Sequence, residues 1–358
     1  MSTQSELIFN RFLTNALGQK ATEMYLSVGT VPLIRKDGLI RQMVGETVIN
    51  KQFLEEMIKI LFNSNEQERF RSEKEVLVTR EFGRAQRFRL TALQERSVPA
   101  LNIKFIPNQI ISLEQLRVRK SVRDLTGLDN GLVIISGPRD SGRSTLILAL
   151  LDLINKNQQK YIATLERPVE YFFLAGKCLV EQREVGQDTP DFLTGISSLK
   201  TRNVDVVFVS EASDPEVILA ILEIAQSNAL VFTIMSTDTA LKTIQRIFNY
   251  FPREKQDLVR SYFTDIFKSI ICTRLIPRVG GGRVLAMEIL NATPIIQKAI
   301  REQRLQQVEN ILQTGLEGEA AISLDRYLAE LVKDGQVLSA EAIKCAVDKE
   351  GFQSLIRE

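Results

Sequence analysis

Residues 131–145, GLVIISGPRDSGRST, constrain the fold of this 358-residue chain more than any other stretch. A short apolar run (132–136) enters a glycine-bounded turn, and a second apolar run at 146–153 leaves it at helical length. Gly137, Gly142 and Ser144 stand at the spacing of a phosphate-binding loop between a strand and a helix, with Thr145 directly after them. Glycines at those positions let backbone N–H groups close around phosphate oxygens at a helix N-terminus. Gly137, Ser141, Gly142, Arg143, Ser144 and Thr145 are therefore the candidate nucleotide-binding set, for ATP or ADP. The Ser144 hydroxyl is the candidate Mg2+ ligand.

Two loop positions depart from the usual pattern. Arg143 replaces the lysine, and a planar guanidinium fork does not fit between β- and γ-phosphates as a compact ammonium does. Asp140 places a carboxylate in the loop itself. At ~5 Å from a phosphate charge, with an effective dielectric near 20, the repulsion would be about 3 kcal/mol.

From Gly131 onward strands and helices alternate. Strands are expected at 132–136, 161–165, 205–209, 230–235 and 284–290, and helices at 143–156, 190–200, 214–226 and 238–249. Ser213 is the expected cap of the third helix, with Glu216 completing a capping box. Apolar strands such as 206–209 lack period-2 alternation, which signals burial on both faces and a mostly parallel sheet. Three further helices are expected near 294–312, 322–334 and 339–349.

The first 108 residues read as a smaller α/β domain. A helix near 3–18 precedes strands at 24–28, 31–35 and 39–43, the last two joined at Asp37-Gly38. Phe53, Leu54, Met57, Ile58, Leu61 and Phe62 mark an amphipathic helix, and strands follow at 86–93 and 102–105, ending at Pro107. The expected division is 1–108, a connector at 109–130, and 131–358, the last including C-terminal helices over 293–358. The basic run RVRKSVRD (117–124) in the connector reads as a solvated helical face.

Composition excludes more than it assigns. With 46 basic and 44 acidic residues the chain carries no field that calls for nucleic acid. No apolar run approaches the roughly 18 residues of a transmembrane segment, and no secretory signal is visible at the start. Three scattered cysteines without a CxxC pair fit a reducing cytoplasm. The absence of any histidine removes the commonest general base and metal ligand.

Longer segments carry a resemblance. ATEMYLSVG (21–29), PLIRKDG (32–38), RFRLTALQ (87–94), KFIP (104–107), CLVEQREVGQDTPDF (178–192), LVFTIMSTDTALKTIQRIFNYFP (230–252), GRVLAMEILNATPIIQKAIRE (282–302) and LDRYLAELVKDG (324–335) are similar to the type IV pilus retraction ATPases. These form the PilT-like branch of the type II/IV secretion ATPase superfamily. The resemblance implies a PAS-like N-terminal α/β domain followed by a RecA-like P-loop ATPase domain. It also implies a homo- or hetero-hexamer with PilT-like subunits, acting on an inner-membrane platform protein of the pilus at the cytoplasmic face of a bacterial inner membrane.

Carried over residue by residue, the resemblance makes Glu166 the group that activates the attacking water and Glu211 the acidic residue that reaches magnesium through water. Several positions depart from the family pattern. Arg167 replaces an aspartate beside Glu166, and a cation there is expected to pair with Glu166 and lower its pKa. Ser236 occupies the place of a histidine, and Ser97 and Lys104 align with arginines that cross the subunit interface. Arg96, one position away, is the candidate replacement toward nucleotide. Departures concentrated on one site point to a catalytically weak or inactive paralogue that regulates or assembles with the retraction machinery. A working retraction motor and a non-enzymatic polar docking or signalling module remain the alternatives.

Overall fold

The computed structural model describes residues 4–82, 86–106, 109–212, 214–315 and 319–357. The chain separates into two compact units, one running to Gln109 and the other starting at Ile110.

The first unit is built on an antiparallel sheet of β1 (Glu23–Ser27), β2 (Leu33–Lys36), β3 (Leu39–Gln42), β4 (Glu75–Phe82), β5 (Gln86–Glu95) and β6 (Val98–Ile106), in the order β3-β2-β1-β6-β5-β4. The helices Gln4–Gly18 and Lys51–Leu61 bury Phe9, Phe12, Leu54 and Met57 against Met24, Leu26, Leu90 and Ile103. Asp37 and Gly38 take φ of 51° and 84°, the doubly positive turn a two-residue hairpin needs. A second such turn, Arg96-Ser97, joins β5 to β6 with φ of 49° and 66° and no glycine to announce it. The helix Ser64–Glu73 and β4 add to what the sequence suggested. That helix buries only Phe70, so it has no apolar stripe, and a capping box between Asn63 and Glu66 starts it. Pro107, the expected strand end, lies outside the described residues.

The second unit holds an eight-stranded sheet in the order β14-β13-β12-β7-β11-β10-β8-β9. Its strands are β7 (Gly131–Ser136), β8 (Tyr161–Glu166), β9 (Leu179–Glu184), β10 (Val206–Val209), β11 (Leu230–Met235), β12 (Phe267–Pro277), β13 (Arg283–Asn291) and β14 (Ala321–Ile322). Every pairing from β12 through β9 is parallel, and β13 and β14 are antiparallel additions at one edge. All residues of β7 and β10 are buried, as expected for strands covered on both faces. The helix Arg143–Asn157 covers one face with Leu146, Ile147, Leu150 and Leu151, packed with Ile162, Phe208 and Phe232. The helices Phe192–Leu199, Pro215–Gln226, Ala240–Asn249 and Arg253–Ile266 cover the other.

Residues 110–130 are part of this unit, with Leu113, Val122 and Leu125 in its core. The helix expected over 294–312 is two, Pro294–Arg301 and Leu305–Thr314, separated where Gln303 takes φ of 61°. The helix expected over 339–349 resolves into a short turn, Ser339–Ala342, and Lys349–Arg357. Among the described residues no helix is long and apolar enough to cross a membrane.

The helix Pro215–Gln226 is capped by Asp214, whose carboxylate accepts from Val217 N at 2.9 Å; Ser213, expected in that role, lies outside the described residues. Asp214→Ala is expected to lower stability by about 1 kcal/mol in chemical denaturation, the usual loss for an N-cap. An unchanged denaturation midpoint would contradict the capping role.

Candidate nucleotide site

The phosphate-type loop lies where β7 ends. Gly137 takes φ of 144°, and a Cβ there would meet Ser141 Oγ at 2.5 Å and Thr273 O at 2.7 Å, so only glycine lets the loop fold this tightly. Gly142, at φ of 94°, is the N-cap of Arg143–Asn157. The loop therefore delivers its backbone to the N-terminus of a buried helix, which is the donor arrangement a phosphate requires. Ser141 has its side chain turned inward, with Oγ 2.9 Å from Thr273 Oγ1, which donates in turn to Ser136 O. Its hydroxyl ties the loop to β12, leaving its backbone for ligand. Ser144 is exposed in the first turn and Thr145 is half-buried behind it.

Asp140 takes φ of 58° and points to solvent. Its exposure leaves its repulsion of a bound phosphate open to screening by solvent and salt.

Arg143 does not stand alone above the loop. Its Nη1 donates to Met235 O at 3.0 Å and to Ser236 Oγ at 2.8 Å, tying the first helical residue to the end of the neighbouring strand β11. Burial pulls the guanidinium below its ordinary pKa, with Asp140 opposing that shift. The two departures at 143 and 236, separate in the sequence, are one contact. The segment after β11 is gripped at further points: Arg246 donates to Ser236 O at 3.0 Å, and Arg274 to Asp238 O at 3.0 Å.

Glu166 closes β8 on the face covered by the phosphate-loop helix, and is 4% exposed. Its Oε1 accepts from Thr164 Oγ1 at 2.7 Å and from Gln182 Nε2 at 3.2 Å. Burial pushes its pKa up to about 7, outweighing those two hydrogen bonds, and Glu170 and Glu184 raise it further. The expectation that Arg167 pairs with Glu166 and lowers its pKa is overturned. Adjacent residues at a strand end point to opposite faces. Arg167 stacks over the Phe192 ring at 4.8 Å, and its Nη1 lies 3.9 Å from Glu211 Oε2. The cation thus sits on the magnesium candidate rather than on the base. Both partners of that ion pair are about half exposed, so its strength is modest.

Arg96 belongs to the first unit, at the exposed tip of the β5–β6 hairpin. The residues that sequence reasoning missed are Gln182 and Thr164, which hold Glu166, and Glu288, a buried carboxyl on β13. A charged residue inside the apolar run VLAMEIL (284–290) was the available signal for the last.

The candidate hard oxygen donors for magnesium are Ser144 and Glu211, and among the described residues no group of three or more histidine, cysteine, aspartate or glutamate side chains gathers as a metal cage. That sparse donor set fits a cation bound jointly with substrate phosphates.

A family model described as type II/IV secretion system protein matches residues 2–280. The chain is 33% identical over 335 residues to a Pseudomonas aeruginosa protein named type IV pilus retractation ATPase PilT, covering 93% of this chain and 96% of that one. It is 31% identical over 322 residues to a Neisseria gonorrhoeae twitching motility protein, covering 90% and 86%. The crystal structure of the pilus retraction motor PilT with bound ADP superposes with a TM-score of 0.86 at 30% identity, over 96% of this chain and 98% of that one. The Legionella pneumophila ATPase DotB shares the fold, with a TM-score of 0.82 at 18% identity over 94% of each chain.

Proposed function

The chain belongs to the type II/IV secretion system protein family, in its PilT-like pilus motor branch, and from that premise we propose that it is a nucleotide-binding motor subunit whose ATP hydrolysis is weak. Its loop backbone, with Gly137, Ser141, Gly142, Arg143, Ser144 and Thr145, binds the phosphates of ATP or ADP. Ser144 and, through water, Glu211 hold Mg2+, which supplies charge neutralisation to the phosphates when bound. Glu166 accepts a proton from the attacking water.

The observation that carries the weakness is the Arg143 contact with Met235 O and Ser236 Oγ. A guanidinium committed to the protein must give up those bonds before it serves phosphate, and Arg167 competes at Glu211. On this reading the subunit works with PilT-like subunits in a homo- or hetero-hexamer and regulates retraction through a pilus platform protein at the cytoplasmic face of the inner membrane. Arg96, on an exposed hairpin tip, reaches toward a neighbour's nucleotide. The first unit serves as the PAS-like domain of the branch.

The test measures nucleotide affinity and turnover together, on wild type and Arg143→Lys. Expected are micromolar-range binding, turnover well below about 1 s⁻¹ in wild type, and a rise of up to roughly tenfold in the lysine variant. Wild-type turnover at the several per second common among enzymes overturns the proposal. One observation favours a fully working motor: the Glu166 carboxyl, with its pKa near 7, is well matched to a base at neutral pH.

A further inference from the structure

We infer that Gln182 is the positioning residue of the Glu166 carboxyl, fixing Oε1 as the oxygen that accepts hydrogen bonds and leaving Oε2 as the atom that takes and releases the proton. The inference rests on the reading of Glu166 as the group that activates water.

Parallel register sets Thr164 opposite Gln182 and Glu166 opposite Glu184. With period-2 alternation these four polar side chains share one face of two adjacent strands. That face also holds the segment after β8, through Val169 N, which donates to Glu184 Oε2 at 3.0 Å. Gln182 makes three bonds there. Its Nε2 donates to Tyr171 O at 2.7 Å and to Glu166 Oε1 at 3.2 Å, while its Oε1 accepts from Phe173 N at 3.1 Å.

The two backbone bonds decide the orientation of the amide. Tyr171 O only accepts and Phe173 N only donates, so turning the amide over would set oxygen against oxygen and N–H against N–H. The orientation is thus imposed by the backbone, whatever the charge on Glu166. Both nitrogen hydrogens are committed, and one is always aimed at Glu166 Oε1.

Thr164 Oγ1 donates to that same oxygen at 2.7 Å. An oxygen that already accepts two hydrogen bonds is the poorer place for the proton of the neutral acid, so the proton resides on Oε2. The charged groups acting on the carboxyl are Glu170 from the following segment and Glu184 from β9, both anionic and both favouring the proton. Arg167 is turned toward Glu211 and Phe192. The donors from Gln182 and Thr164 oppose the protonation that burial and these two carboxylates favour.

The test is the protonation midpoint of the Glu166 carboxyl, read by isotope-edited infrared spectroscopy as the difference between each protein and the same protein carrying Glu166→Gln. The wild-type midpoint is expected near 7. Gln182→Met removes the donor at nearly constant volume, and the midpoint is expected to rise by about one pH unit, a tenfold change in acidity. If the methionine variant does not fold, Gln182→Asn keeps a polar amide on the strand but draws its donor back from Glu166 Oε1, and the midpoint is expected to rise in the same direction. A midpoint unmoved or lowered in a folded variant overturns the assignment, because loosened packing alone admits water and lowers the midpoint of a buried carboxyl, whereas loss of the donor raises it. This readout needs no turnover. If Glu166 is not the base at all, the carboxyl titration still reports on Gln182, and only the turnover of Glu166→Gln reports the other failure.

Discussion

Glu166→Gln is expected to reduce ATP turnover by at least about a hundredfold while leaving nucleotide affinity near that of wild type and stability no lower than wild type at neutral pH and above. A positioned general base contributes roughly 10² to 10⁴ in rate, and glutamine has the size and one acceptor oxygen of glutamate but cannot take a proton. The acceptor survives for Thr164 and Gln182, which donate to Glu166 Oε1 at 2.7 and 3.2 Å, so the fold loses little. The pH profile follows from the same carboxyl. With a pKa pushed up to about 7 by burial, the group is only half ionised near neutrality, and the base form grows as pH rises. Turnover should therefore climb through an acid limb centred near pH 7 and level off above it. An unperturbed glutamate, near 4.3, would leave the rate flat over that range. Steady-state turnover from pH 5.5 to 8.5 measures the limb, and a Glu166→Gln variant that keeps most of its rate removes Glu166 from the reaction.

The loop and the parallel sheet were legible because each rests on local chemistry. Gly137 and Gly142 are needed for positive φ, and the buried runs at 131–136 and 206–209 have no polar face to mistake. The strand β12, FKSIICTRLIP, was not found, although its residues 267–277 are mostly buried. It follows the helix Arg253–Ile266 with no turn residue between them, so nothing local marks where one ends and the other begins. The arrangement of site residues was harder still. Residue type gave the charge of Arg167, but its partner depends on which face of the strand end it leaves from. The alternation rule, applied to neighbours 166 and 167, would have set them apart. The contact of Arg143 with Ser236 joins residues 93 positions apart, and the bond of Gln182 to Glu166 spans 16. Such pairings arise from strand order, with β11 beside β7 and β9 beside β8, and that order is a property of the whole sheet.

A second carboxyl makes the stability of the molecule depend on pH in a direction opposite to the usual one. Glu288 on β13 is buried, and its Oε1 accepts from Ala240 N at 2.6 Å, at the start of the helix that follows the Arg143-bound segment. Burial pushes its pKa up to about 7; the Ala240 bond, Arg274 and Cys272 pull it down, and Asp325 adds to the rise. A folded-state value above the unfolded one means that the native protein binds the proton more tightly. That stability is fully present below the unfolded pKa, near 4.5, and is lost as pH rises through 7. A difference of that size is worth about 3 kcal/mol per group, and Glu166 contributes in the same sense. The lowered carboxylates, such as Glu181 and Glu319, act in the opposite sense but mainly below pH 4.5, outside this window. Wild type is therefore expected to lose several kcal/mol between pH 5 and pH 8. Glu288→Gln keeps an acceptor for Ala240 N without a titrating proton, so its decline over that interval should be smaller by about 2.5 kcal/mol, part of the effect being already lost at pH 5. The variant should then match wild type or fall slightly below it at pH 5 and exceed it at pH 8. Urea denaturation of both proteins at the two pH values measures the difference, and parallel declines would show that Glu288 is not the group whose burial opposes folding at alkaline pH.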